Sequence, residues 1–338
     1  MKPASLRGGL AVLAFALLAR PIHSQSAQDS VLDTYIVTAT RTPEDVRTLG
    51  SAADQVTAAD LSREQFSTLA DALGAIPGAP AFANGAAGSD ASVFMRGSDS
   101  AQTLFLVDGI RLNDANTDYA VFLGGARLGA TDSVEVVRGP QSTLYGSEAV
   151  GGVVSIQAHK GAGAPTSGVD IEAGSFGSVY GTLTSQGAED AWAWSLTAGG
   201  GHTSNDRPNN DFDSGNLVLR LDRDLNASSS LGATLRGFQG RYGDPGDIFT
   251  NDPYAHETES NWLGTVFADI HPASDLTAHI TVGGQDRRYV SFDELPGVFS
   301  ETTVVQNRRA VLDAQSTFSG LADQKITAGI TADDETTL

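Results

Sequence analysis

The sequence predicts two parts in tandem: a compact α+β unit over residues 46–160, then antiparallel β-strands from 161 to 338. Three observations support this. Helical periodicity and short β-branched runs are intermixed between 58 and 158, whereas beyond 161 the texture becomes uniformly strand-like. There, apolar and polar residues alternate at period two: Trp192, Trp194 and Leu196 against Ala193, Ser195 and Thr197; Leu217, Leu219 and Leu221 against Val218, Arg220 and Asp222; Leu276, Ala278, Ile280 and Val282 against Thr277, His279 and Thr281. Finally, 38 glycines in 338 residues and only 7 % aromatics suit a turn-rich β chain better than a helical one. Alternation by itself fits either a transmembrane barrel, with lipid on the apolar face, or a soluble sandwich that buries that face.

Lys2 and Arg7 precede the apolar run Leu10–Ala19, and small residues follow at Ser24 and Ser26. The run is shorter than the roughly 20 residues a spanning helix needs. Residues 1–26 therefore read as a cleaved secretory signal. The sequence contains no second long apolar run, so residence in a membrane would require a β-barrel, the other structure that satisfies its backbone in lipid.

Residues 27–45 contain Asp33-Thr-Tyr-Ile-Val-Thr-Ala-Thr-Arg41, a β-rich segment with no visible partner, and Pro43 ends it because proline lacks an N–H. One helix is expected from Ala58 to Leu73, with Asp60 as N-cap, Leu61, Leu69, Ala70 and Leu73 on the apolar side and Gly74 as the stop. Ile76-Pro-Gly78 turns the chain. Strands follow near 92–96, 103–108, 133–138 and 152–158, with Asp108-Gly109 a hairpin signal between apolar runs. The small-residue linker Gly161–Gly168 leads to the repeated strands.

Composition excludes several functions. With no cysteine there are no disulfides, thiolate nucleophiles or Cys-zinc sites. Forty-one acidic against 21 basic residues, net −20, oppose nucleic-acid binding and docking on anionic lipid through a polybasic patch. The six histidines are scattered and no Gly-x-Ser-x-Gly elbow is present, so no catalytic residues are assigned and no enzyme is expected.

Three runs, Val93–Ser98, Thr103–Asp114 and Ser133–Ile156, resemble the plug domain of TonB-dependent outer-membrane receptors in order and spacing, and Leu69–Gly78 resembles that plug's first helix and turn. The resemblance decides for the barrel over the sandwich. It implies an α+β plug domain (46–160) followed by transmembrane β-barrel strands (161–338) in the outer membrane of a Gram-negative bacterium. It also implies active transport of a scarce nutrient, driven through the periplasmic protein TonB, with no cofactor required. Roughly nine strands are expected where plugged transporters have about 22, too few to enclose a plug of this size, so the expectation is a barrel incomplete at its C-terminal side. The ending Asp333–Leu338 also lacks the family's closing aromatic.

Under the same resemblance, Asp33, Thr34, Tyr35, Ile36, Val37, Thr38 and Ala39 form the TonB box, an edge strand that pairs with another protein. Asn84, Ser89, Asp90, Asn113, Asn116 and Tyr119 lie in plug loops expected at the extracellular apex, where polar groups can bind ligand. Arg96 and Arg138, each followed by Gly, are expected to lock plug to barrel through carboxylates, with Glu135, Glu148 and Glu172 as candidate partners. Asp206, Asp211, Asp213, Asp244, Asp247 and Asp252 are candidates for calcium, a hard ion that takes 6–8 oxygens, beside the plainer reading of acidic solvated loops. The loop after Arg111-Leu112-Asn113 most resembles that of cobalamin receptors. Cobalamin or a related corrinoid is thus the first ligand expected, a ferric siderophore the second, and a non-transporting adhesin or phage-binding barrel the alternative of another class.

Overall fold

The structure, a computed structural model, describes residues 35–83, 85–113, 126–247, 249, 251–295, 298–322 and 324–338. The signal segment, Asp33, Thr34, Asn84, Asn116 and Tyr119 lie outside the described residues.

The chain opens with β1 (Tyr35–Ile36), paired antiparallel with β2 (Glu44–Asp45). Then come β3 (Ala52–Val56), α1 (Ala58–Glu64), α2 (Leu69–Gly74), β4 (Ala81–Ala83), β5 (Ala91–Val93), β6 (Thr103–Val107), β7 (Ile110–Arg111), β8 (Asp132–Arg138), α3 (Ser142–Tyr145) and β9 (Gly152–Ala158). The central sheet has the order β3-β8-β9-β6-β7, with β6 and β9 parallel and its other neighbours antiparallel. The apolar side chains of β8 and β9 are buried, which is why these strands read as β-branched runs. Asp108 (φ 48°) and Gly109 (φ 86°) form the β6–β7 turn expected of Asp-Gly.

The single helix expected over 58–73 is two. Thr57 and Thr68 each accept from the backbone N–H three residues on, and Asp60 and Asp71 reach back to them, making two capping boxes. The second box starts a new helix after Gln65 turns left-handed (φ 57°). Asp60, expected as N-cap, is the third helical residue; Thr57 is the cap.

Nine strands follow: β10 (Thr166–Ala173), β11 (Val179–Glu189), β12 (Trp192–Thr203), β13 (Phe212–Asn226), β14 (Ser229–Gly243), β15 (His256–Ala273), β16 (Leu276–Leu295), β17 (Phe299–Leu321) and β18 (Gln324–Thr337). They form one antiparallel sheet in sequence order, with β10 and β18 at its two edges, so it does not close on itself among the described residues. Connections at one end are two residues each (190–191, 227–228, 274–275, 322–323); at the other they run 174–178, 204–211, 244–255 and 296–298, longer in every case and long in two, an asymmetry that transmembrane barrels share.

The two faces settle the ambiguity left by alternation. Outward, one row of register partners runs Gly187, Trp194, Leu221, Ala233, Val266, Val282, Leu312, Ala332, apolar across eight strands. Inward, Ser195, Thr197, Thr234, Thr265 and Gln285 are buried, the polar residues lying against the mixed unit. A soluble sandwich would bury the apolar row instead. On β15 the outward residues are apolar from Trp262 to Ile270 and polar at Thr258 and Ser260. The 18- and 20-residue lengths of β15 and β16 therefore exceed the membrane band and rise beyond it on the long-loop side. Phe212, Phe238, Tyr242 and Leu263 reach from the sheet into the mixed unit's core cluster, so the two parts share a core. Among the described residues no helix is long and apolar enough to cross a membrane.

Candidate functional site at the plug and its barrel wall

The strongest contact between the two parts is Arg236. Strand β14 turns it inward, where its guanidinium donates to Asp108 (Nε–Oδ2 2.5 Å) and to both oxygens of Asp132 (2.8 Å each). The three side chains are 8 %, 7 % and 0 % exposed. Asp108 also accepts from Ala158 N (2.8 Å) and Asp132 from Gly129 N (2.6 Å), so both carboxylates are fixed before they meet the cation. Such a pair is costly to desolvate but costlier still to break by removing one partner. Around it, Arg220 donates to Ala158 O, Arg309 to Asn113 O and Arg127 to Glu172, while Ala130 N donates to Thr197 Oγ1.

The most buried ion pairs between the two parts have the opposite polarity to the one expected, with the arginine on the wall. Arg127 with Glu172 of β10 has the expected polarity, but Arg127 is not one of the two arginines expected. Arg96 is exposed, with its guanidinium over Gly139, and no carboxylate among the described residues pairs with it. Its positive φ (51°) aims it out of the strand line. Arg138 donates to Asp54 and Pro77 O, within the mixed unit rather than to the wall. Of the three expected partners, Glu148 pairs with Arg111, Glu172 with Arg127, and Glu135 with no cation among the described residues. The missed residues had weak signals: Asp108 was absorbed by its turn, and Arg236 stands alone on an inward row whose partner only topology reveals.

The N-terminal segment is docked rather than free. Ile36 and Ala39 pack on Val137, and Thr38 is 2 % exposed. Val37 N, Thr38 N and Thr38 Oγ1 donate to Glu135 Oε2 at 3.2, 2.9 and 2.6 Å. Tyr145 OH donates to Thr38 O (3.0 Å), and burial pushes that phenol up to about 12, keeping it a donor. Arg41 pairs with Asp313 of β17 (3.0 Å), and Gln315 donates to Arg41 O (2.6 Å). A cavity of about 500 Å³ opens beside the segment at the short-turn end, between the plug sheet and strands β13 to β17.

At the long-loop end, a second cavity of about 590 Å³ lies between the Gly85–Asp90 loop and the rims of β12 to β15. Ser89, Asp90, Asp206, Arg207, Asp244 and Glu257 line it. Gly88 (φ 92°) is required there, because a Cβ would collide with the Phe212 ring. Tyr242 OH donates to Asn210 Oδ1 (2.9 Å). Arg207 is spent on the carbonyls of Pro245, Gly246 and Asp247, so the lining is predominantly acidic. Burial, with the Asp90 carboxylate nearby, pushes Glu257 up to about 7. Of the expected apex residues, Ser89 and Asp90 reach this cavity. Asn113 does not: it is buried and bridges Phe105 N (2.7 Å) and Thr103 O (2.9 Å), a structural role.

The six aspartates named as calcium candidates do not come together as one group: Asp206 and Asp244 line the long-loop cavity, and the other four are engaged elsewhere. Asp211 pairs with Arg241 and Asp213 with His202. Asp206 accepts from Asn210. Asp244, Asp247 and Asp252 accept backbone N–H groups two residues ahead, and at Asp252 those bonds hold the carboxyl below its usual range. Among the described residues no group of three or more His, Cys, Asp or Glu is placed to hold a metal. Turn capping and ion pairing account for the spacing that suggested ligands.

Residues 45–153 match the TonB-dependent Receptor Plug Domain family model, so this stretch is a plug domain of that kind. The fold is also similar to that of several solved structures. With the ferric citrate transporter FecA in its unliganded form the TM-score is 0.73 at 19 % identity, covering 87 % of this chain and 48 % of that one. With FpvA of P. aeruginosa bound to a pyoverdine–iron complex it is 0.75 at 15 %, covering 90 % and 44 %. With the ferric yersiniabactin uptake receptor FyuA from Yersinia pestis it is 0.66 at 17 %, covering 85 % and 49 %. The chain spans about half the length of these structures. A plug domain joined to a barrel sheet of this type makes the chain an outer-membrane protein of a Gram-negative bacterium.

Proposed function

We propose that this chain carries the plug and part of the barrel of a TonB-dependent transporter that takes up a ferric chelate of the siderophore type. The supporting observation is that the plug meets the wall through discrete polar contacts, dominated by Arg236 with Asp108 and Asp132, while a β-prone N-terminal segment lies at the short-turn end where a periplasmic partner would grip it. Ligand enters at the long-loop cavity, and a pull on the 33–41 segment remodels the plug. Energy arrives through the partner, so the mechanism needs no nucleotide. The solved structures of similar fold are named for ferric ligands, which favours the siderophore reading. Cobalamin is the second reading, favoured by the acidic lining of the cavity, which suits an uncharged or cationic ligand better than an anionic chelate. It has lost two of its supports, because Asn113 is structural and the aspartates do not gather.

Deleting Asp33–Thr40 should abolish uptake of the cognate ligand while leaving surface binding intact. Persistence of uptake would refute coupling through this segment, and loss of binding as well would make the segment part of the ligand site. Binding of ferric siderophores against cyanocobalamin, with and without calcium, separates the two ligands; calcium-dependent affinity would revive the ion site.

A further inference from the structure

Glu135 is 1 % exposed, at the centre of β8. Among the described residues it forms no ion pair; its oxygens accept instead from Val37 N, Thr38 N and Thr38 Oγ1, with Gln55 Nε2 at 3.4 Å on the other oxygen. The carboxylate is thus buried on condition that the N-terminal segment stays in place. Neighbouring packing repeats the arrangement: Ile36 and Ala39 rest on Val137, the next residue on the same face of β8, and Tyr145 holds Thr38 O from the other side.

We propose that Glu135 is the positioning residue that latches residues 36–39 against the plug sheet and so sets how often this segment is presented to a strand-adding protein partner. The inference rests on the proposed coupling role of the segment. The physics is asymmetric. A carboxylate in this position accepts charge-assisted bonds from two successive N–H groups, which holds residues 37–40 in a turn. A partner strand needs the segment extended and one of these two donors on its pairing edge, so latch and partner exclude one another. Withdrawing the segment leaves a buried charge without its donors, so docking is close to all-or-none rather than a gradual fraying. Glu135→Gln keeps the volume but replaces one oxygen by an N–H₂ that cannot accept, which weakens the latch without opening a cavity.

The chain has no cysteine, so a single introduced thiol reports one position without background. In outer-membrane vesicles, the maleimide labelling rate of Ala39→Cys (8 % exposed) is compared with that of Ala149→Cys (0 % exposed), a control in a separate apolar cluster of the plug. With Glu135→Gln, labelling at position 39 should rise about tenfold or more while position 149 stays protected, since only the local opening equilibrium changes. An unchanged rate at 39 overturns the latch. Equal acceleration at both positions overturns it too, because Glu135 would then stabilise the plug as a whole. Labelling needs neither ligand nor partner, so a failed latch and a failed coupling role are told apart by the deletion experiment above.

Discussion

At the scale of single residues, the chain's chemistry lies in a few buried charges whose neighbours are fixed by backbone. Arg236 neutralises two carboxylates that are themselves anchored to Ala158 N and Gly129 N. Arg236→Met should therefore cost about 3–5 kcal/mol of plug–wall stability, the penalty for leaving buried charge uncompensated. The triple change with Asp108→Asn and Asp132→Asn should cost clearly less; chemical denaturation of the three proteins checks the order. Glu257 offers a pH test. Its folded-state value of about 7 lies above the ordinary 4.5, so the protonated form is the one folding favours. Its contribution is fully present below pH 4.5 and is lost as pH rises through about 7. Glu257→Gln should raise the melting temperature by about 2–4 °C at pH 8 and leave it unchanged at pH 4, since the amide stays neutral throughout. Equal effects at both pH values would show that Glu257 is not desolvated.

At the scale of elements, the strands were legible and their partners were not. Period-two alternation located β12, β13 and β16 because one face meets lipid and the other meets the plug, a contrast written into every second residue. It understated β16 as residues 276–282, since beyond the apolar band the outward residues turn polar at Asp286 and Arg288 and the alternation fades while hydrogen bonding continues. The helical stretch was misread for the opposite reason. Apolar residues at 61, 69, 70 and 73 share one helical face across the break, and the two Thr-x-x-Asp boxes that divide the stretch are local signals that periodicity overlooks. Site residues fared worse. Arg96 and Arg138 looked like locks because each ends a strand, yet what decides a partner is which face crosses to another strand, and that is tertiary. The same depth argument yields a prediction. Val266→Arg, on the outward row within the band, should impair insertion by about 2–4 kcal/mol, whereas Thr258→Arg, on the same face above the band, should be near neutral. Yields of heat-modifiable folded protein would measure both.

At the scale of the whole molecule, plug, wall and N-terminal segment form a mechanical series. The segment is held by Glu135 and Asp313, the plug sheet by its parallel β6–β9 pair, and the wall by Arg236. A pull on the first must pass through the second before it reaches the third, and the cavities at the two ends lie on either side of that path. Under the proposed function, the drive for such a series comes from outside the chain, through the 33–41 segment. The direct measurement of the proposed function is accumulation of a radiolabelled ferric chelate in cells expressing the protein, with and without a protonophore. Energised cells should accumulate the label and treated cells should only bind it at the surface. Accumulation that persists at the same rate after the proton-motive force has collapsed would contradict the account.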